Sequence, residues 1–246
     1  MSYRVTSTRY EIKLPCDPLH FDEIEAWVRL HPAQWRVAYP PREINNIYFD
    51  SADYQGLDAN LGGIAERAKL RLRWYGPDKT AVAPYSDPAE AWLWHLPQLE
   101  LKCKDGMAGW KEINRMDRSF MLDLTRVTWP EARRRLRAAL APQAQIWLTT
   151  YTFPALINRY RRAYYVTPDE VVRLTIDTAL RAYDQRFSAR PNLTRPAPID
   201  AQAVIELKAA TNPEGARRLS QALADFPVRA YRFSKYVQGM LASVDM

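Results

Sequence analysis

The sequence predicts an α+β protein built on an antiparallel eight-stranded β-barrel with flanking helices. Three observations lead there. About eight short segments alternate polar and apolar residues with a period of two. They follow one another with few helical patterns between them, which suits an antiparallel meander or barrel better than the β-α-β rhythm of a parallel sheet. The polar positions of these segments are mostly Lys and Arg.

Taken in order, "RYEIKL" at 9–14 sets Arg9, Glu11 and Lys13 on one face and Tyr10, Ile12 and Leu14 on the other. "FDEIEAWVRLH" at 21–31 spaces Phe21, Ile24, Trp27 and Val28 as a helix does. Strands follow at 46–50 ("NIYFD"), 69–75 ("KLRLRWY"), 99–104 ("LELKCK") and 109–115 ("GWKEINR"). "TWPEARRRLRAAL" at 128–140 begins a helix near Pro130, because proline is favoured in a first turn. Strands resume at 156–166 ("LINRYRRAYYV"), 171–183 ("VVRLTIDTALRAY") and 203–209 ("AVIELKA"). Two helices close the chain, one capped by Asn212 before Pro213 and one capped by Ser234. Residues 77–97 and 187–202 are Pro-containing loops. Neither reads as a linker and no repeat is present, so residues 1–246 are expected to form one domain.

With 246 residues, 47% of them hydrophobic, the chain can build a sizeable core. A net charge of +7 favours an anionic partner without choosing the reaction. Cys16 and Cys103 have no metal-ligand spacing, which argues against a zinc site or a disulfide framework. No apolar run reaches the roughly 20 residues of a membrane span, and no apolar leader opens the sequence, so a soluble, cytoplasmic protein is expected. The histidines, His20, His31 and His95, fall outside the basic strands.

Same-face side chains on a strand lie about 7 Å apart, so Lys69, Arg71 and Arg73 form a cationic row roughly 14 Å long. Such a row suits an extended anion. A solvated face is the ordinary meaning of one such strand, but the bias recurs. Lys102 and Lys104 sit with Glu100, Arg159 with Arg161, Arg173 with Asp177, and Lys208 with Glu206. Closing the sheet with this face inward makes a basic tunnel, whose crowded cations need carboxylates, water and anionic ligands beside them. Glu11, Glu100, Asp177 and Glu206 either hold those cations as ion-pair partners or in part coordinate a divalent metal. Glu206 is the best single candidate for the metal.

The ordered motifs "RYEIK", "NNIYFDSADYQGL", "KLRLRWY", "LELKCKDG", "NRYRRAYY", "VRLTIDT", "VIELK" and "RFSKYVQGM" resemble the triphosphate tunnel metalloenzyme superfamily. Within it they resemble the VTC-type polyphosphate polymerase domain. The resemblance implies phosphate-handling roles for Arg71, Arg73, Lys102, Arg161, Arg173 and Lys235. It implies substrate contacts for Arg9, Lys104, Arg232 and Ser234, to which the basic strand faces add Lys13, Lys69 and Lys208. Glu206, with Glu11 as the second candidate, would hold Mn2+ or Mg2+. The CYTH branch carries Glu-x-Glu-x-Lys on the first tunnel strand; Arg9, Glu11 and Lys13 instead read Arg-x-Glu-x-Lys, which favours the polymerase branch. Eukaryotic members join this domain to a phosphate-sensing domain and a transmembrane segment, and the sequence shows neither.

The implied activity is metal-dependent phosphoryl transfer from a nucleoside triphosphate such as ATP to a polyphosphate chain. One alternative is a triphosphatase of the same fold. Another is a non-catalytic binder of polyphosphate or RNA that stacks bases on Tyr48, Trp74 or Tyr160. No RNP-type motif is present, so a specific nucleic-acid partner is not expected.

Overall fold

The computed structural model describes residues 2–6, 9–76, 92–105, 108–199, 203–224 and 226–243. Its strands are β1 (Ser2–Thr6), β2 (Arg9–Cys16), β3 (Arg36–Asp50), β4 (Arg67–Tyr75), β5 (Leu93–His95), β6 (Gln98–Asp105), β7 (Ala108–Arg115), β8 (Met121–Asp123), β9 (Phe153–Val166), β10 (Arg173–Asp184) and β11 (Ala203–Ala210). Its helices are α1 (Phe21–Leu30), α2 (Gln55–Leu61), α3 (Trp129–Ala139), α4 (Pro142–Thr150), α5 (Pro213–Leu223) and α6 (Lys235–Ala242).

The eight segments expected from alternation are all strands of one antiparallel sheet, and β1 adds a ninth at its edge. The order is β1-β7-β6-β4-β3-β9-β10-β11-β2, while β5 and β8 pair apart as a small ribbon. The sheet curls into a half-barrel. Lys102 on β6 reaches Glu11 on β2 at 3.6 Å, although five strands separate them in the pairing order.

Both apolar layers lie outside the curl. Leu70, Leu72, Trp74 and Leu99 pack beneath Trp129, Leu136, Trp147 and Leu148 of α3 and α4. On the other side Leu14, Leu174, Ile205 and Leu207 meet Ile24, Val28 and Leu219 of α1 and α5. Burying these faces drives the association, at about 1.5–3 kcal/mol for each large side chain. The predicted caps are present: Asn212 accepts from Gly215 N at 2.6 Å, and Ser234 from Val237 N at 3.4 Å.

The four helices expected from spacing are α1, α3, α5 and α6; α2 and α4 went unread. The sequence "PQAQIWLTT" of α4 has Pro142 in its first turn but a weak apolar stripe, because Ala144, Trp147 and Leu148 alone are buried. Placement of α6 is what shapes the site. Its Tyr236 and Met240 pack on Tyr48, Leu156 and Ala182, which belong to the inner face of the curl. The helix therefore plugs the lumen and aims its first residues along it. Gly239 permits this approach, since a Cβ there would lie 2.5 Å from Leu156 Cδ2.

Candidate active site in the tunnel

On β4 the leucines and Trp74 are fully buried outside, so alternation sends Lys69, Arg71 and Arg73 inward. Arg71 donates from Nε to Glu100 Oε2 at 2.6 Å, and its Nη2 lies 2.5 Å from the same oxygen. Glu100 in turn lies 3.8 Å from Lys111 Nζ. Arg73 donates from Nε to Asn46 Oδ1 at 2.9 Å and from Nη2 to the Tyr160 hydroxyl at 3.3 Å. Asn46 is oriented by its own bond to Asn158 Oδ1, 2.8 Å. This side of the lumen thus presents guanidiniums fixed by fully or nearly buried acceptors.

The facing wall is built around two carboxylates. Asp177, with no exposed surface, accepts from Arg162 at 2.5 and 2.7 Å and sits 2.6 Å from Lys235 Nζ. Glu206 Oε2 accepts from Lys208 Nζ at 2.7 Å and lies 3.6 Å from Arg162. Its other oxygen is 3.7 Å from Lys13 Nζ, which also reaches Glu11 at 3.1 Å. Between the walls lies Tyr160, with Lys235 Nζ 4.8 Å and Arg162 Cζ 5.3 Å from the ring centre. At the plugged end Lys69 donates to the Ser234 hydroxyl at 2.9 Å.

The electrostatics follow from this crowding. Burial opposes ionisation of Glu11, but Lys102, Lys208 and Lys13 overcome it and bring its pKa down to about 2. Glu206 and Asp177 are likewise buried yet held well ionised, chiefly by Lys208 and Lys13 for the first and Lys235 and Arg162 for the second. Glu100 is lowered by Arg71 and Arg73 against the same penalty. The carboxylates are therefore permanent anions. Some cations give way instead: burial, then Lys13 and Lys102, lower Lys69 to about 7. Burial also brings Lys102 down to about 8, with Lys13 and Lys208 adding to it against Glu11. Burial would raise the Tyr160 hydroxyl, but Arg73 and Arg162 lower it.

A lumen lined by Lys13, Lys69, Arg71, Arg73, Lys102, Lys111, Arg162, Lys208 and Lys235 holds far more positive charge than Glu11, Glu100, Asp177 and Glu206 offset. Such an excess of positive charge attracts anions. The family model of the VTC domain matches residues 8–244. The chain belongs to the VTC domain family.

The match spans every strand of the sheet from β2 onward, both helical layers and α6. The solved structures similar to the chain include these three. One is the PH1819 protein from Pyrococcus horikoshii OT3, at 13% identity and a TM-score of 0.46, covering 95% of this chain and 99% of that one. A putative adenylyl cyclase from Hippeastrum, HpAC1, described as having a dominant triphosphatase activity, shares 16% identity at a TM-score of 0.49 and covers 92% of each chain. A putative adenylate cyclase from Vibrio parahaemolyticus shares 12% at 0.44, covering 92% and 94%. No curated protein matches the chain.

Most of the residues singled out in the sequence do meet in this VTC tunnel. Lys13, Lys69, Arg71, Arg73, Lys102, Lys208, Ser234, Lys235, Glu11 and Glu206 all make lumen contacts. Arg173 pairs in the ladder with Lys208 and shares the face of Thr175 and Asp177, but it is exposed at the end of its strand. Arg9 and Lys104 are exposed at strand ends in the same way. Arg232 donates to the carbonyl of Asn60 at 2.6 Å and braces α2.

Arg161, expected in the tunnel, stays out of it. It is exposed on the outside, and Arg162 is the arginine that enters the lumen. Arg159, also expected on the basic face, pairs outside with Glu43 at 2.8 Å beneath the ring of Trp92. A phase error of one residue flips every side chain of a strand, and "NRYRRAYY" carries charge in both phases. The usable signal was Asn158, since Asn158, Tyr160 and Arg162 share a parity. Lys111, Asn46 and Tyr160 also line the lumen; the sequence pointed to Tyr160 only as a stacking surface and to Lys111 only through a loose motif, and nothing in it marked Asn46.

Among the described residues no three His, Cys, Asp or Glu side chains converge as a complete metal site. Glu11 and Glu206 come together as a pair, since both lie within 4.0 Å of Lys13 and of Lys208. Two ionised hard-oxygen donors fit Mg2+ or Mn2+, ions that commonly bind through one or two carboxylates and complete their shell with water and substrate phosphates.

Proposed function

We propose that the tunnel transfers the γ-phosphoryl group of a nucleoside triphosphate such as ATP to the end of a polyphosphate chain. The observation that supports this best is the convergence of Arg71, Arg73, Arg162, Lys13, Lys208 and Lys235 on one lumen that also contains Tyr160 and four ionised carboxylates. A terminal phosphate oxygen of the acceptor attacks the γ-phosphorus, the bond to the β,γ-bridging oxygen breaks, and a nucleoside diphosphate leaves. No covalent nucleophile is needed, because such transfer depends on alignment and charge neutralisation.

In this reading Arg71 and Arg73 grip the phosphates from one side. Arg162 and Lys235, fixed by Asp177, grip them from the other. The N-terminus of α6 adds the Ser234 hydroxyl and a favourable helix dipole. Glu206 and Glu11 would hold the divalent metal, which would supply positive charge against the negative charge that develops on the phosphates. Arg9, Lys104 and Arg173 would meet the anion at the tunnel's ends, consistent with a polymer that extends past the reacting centre.

Polyphosphate is favoured over water as acceptor by the state of the carboxylates. Each is already engaged by a cation and depressed in pKa, which makes it a poor base for taking a proton from water. A polyphosphate terminus arrives ionised and needs no such base. Incubation with ATP and Mn2+, assayed for both polymer and free phosphate, tests this directly. Polymer that disappears in Glu206→Ala is expected; phosphate release without polymer would mean a triphosphatase.

A further inference from the structure

Past Arg73 on β4 and Arg162 on β9 the inward positions become aromatic. On β4 the inward position after Arg73 is Tyr75, and on β9 the one after Arg162 is Tyr164. Across the β3–β9 ladder Tyr39 pairs with Tyr164 and Arg42 with Arg162, so both sit on this same face. The Tyr39 and Tyr164 rings meet edge to face at 5.8 Å. The Arg42 guanidinium lies 5.7 Å from the centre of Tyr39 and 5.9 Å from that of Tyr75. Tyr39 remains 57% exposed despite these contacts.

We propose that this collar, Tyr39, Arg42, Tyr75 and Tyr164, holds the base of the nucleoside triphosphate while its phosphates lie in the tunnel. The proposal rests on the triphosphate reading above and adds the site for the nucleoside. Tyrosine rings and a guanidinium plane are the groups on which nucleobases stack, because each offers a flat polarisable face to a π-system. The spacing is suitable: Tyr75 and Tyr164 each stand one strand repeat, about 7 Å, beyond Arg73 and Arg162. That is roughly the reach of a ribose between its phosphates and its base. Among the described residues no side-chain amide or carboxylate takes part in these contacts, so the collar would accept purines and pyrimidines alike. It also differs from the three aromatics that the sequence offered for base stacking. Tyr160 is buried under cations, Tyr48 stacks on Tyr236 at 5.0 Å, and Trp74 lies in the outer core.

The test compares ATP, CTP and inorganic tripolyphosphate by titration calorimetry on the full chain, wild type, Tyr39→Ala and Tyr39→Phe. Tyr39 is exposed, so its loss should leave the fold standing, which circular dichroism would check. Tyr39→Ala should weaken ATP and CTP about tenfold, within the usual worth of one stacked base, and leave tripolyphosphate unchanged. Tyr39→Phe should restore nucleotide binding. Equal losses for nucleotide and tripolyphosphate, or no loss for either, would overturn the collar while leaving the tunnel reading intact. Wild-type protein that binds tripolyphosphate no better than a monovalent anion would overturn both.

Discussion

At the scale of single residues, the site works by burying charge in balanced groups. Asp177 has no exposed surface and bridges Arg162 and Lys235, so Asp177→Asn leaves two cations short of their counter-ion. The expected cost is about 3–5 kcal/mol in urea unfolding. Added tripolyphosphate should recover part of it by supplying the missing negative charge. Lys69 offers a separate test. Its pKa of about 7, below the ordinary 10.5, means that it is largely neutral at pH 8 and charged at pH 6. An anion beside it favours the ammonium form, so binding takes up protons above pH 7 and ceases to do so below. Lys102 moves in the same direction but is half exposed, where solvent screens its neighbours, so Lys69 carries the larger share. Tripolyphosphate titrations at pH 8 in buffers of different ionisation heat should show this uptake, and Lys69→Met should shrink it. Heats independent of the buffer would rule the mechanism out.

At the scale of elements, α6 is the piece that turns a curled sheet into a site. Its contact with Leu156 and Ala182 depends on a bare Cα at Gly239, where a Cβ would fall 2.5 Å from one leucine methyl and 3.0 Å from the alanine Cβ. Gly239→Ala should therefore lower stability by about 1–3 kcal/mol through overpacking, seen as a reduced melting temperature. It should also weaken tripolyphosphate binding, because Ser234 and Lys235 ride on the same helix. A second clamp holds this helix from its far side: the buried Asp50 carboxylate accepts from Tyr236 at 2.5 Å and from Gly56 and Leu57 at the start of α2. A strand's phase is legible in its sequence where one face is unambiguous. Strand β4 has Leu70, Leu72 and Trp74 on one side and cations on the other, so a single phase is possible. Strand β9 has arginines on both sides, because its outer face carries Arg159 against Glu43 and Trp92. Local pattern does not choose between its two phases.

For the molecule as a whole, the cations of the tunnel repel one another, and its stability should depend on anions more than that of an ordinary sheet. Saturating tripolyphosphate is expected to raise the melting temperature by an amount equivalent to about 2.7 kcal/mol at one hundred times the dissociation constant. Removing divalent cations with a chelator should abolish turnover while much of this stabilisation remains, since the lysines and arginines bind phosphate themselves. Neutral polymers of similar size should have no effect. Among the described residues no helix is long and apolar enough to cross a membrane.

Sequence alone determined the eight principal strands, the cationic bias of their polar faces and the caps at Asn212 and Ser234, because alternation, charge and capping chemistry are local properties. The motif order was enough to suggest the family that the domain match then established. Only the tertiary structure decided which arginine of "RYRR" enters the lumen, where α6 lies, and that Tyr39, Arg42, Tyr75 and Tyr164 share one end of the tunnel. Each of those depends on how a strand is rotated or on what packs across the curl. Residues distant in the chain compete for one interior, and no short stretch contains that outcome.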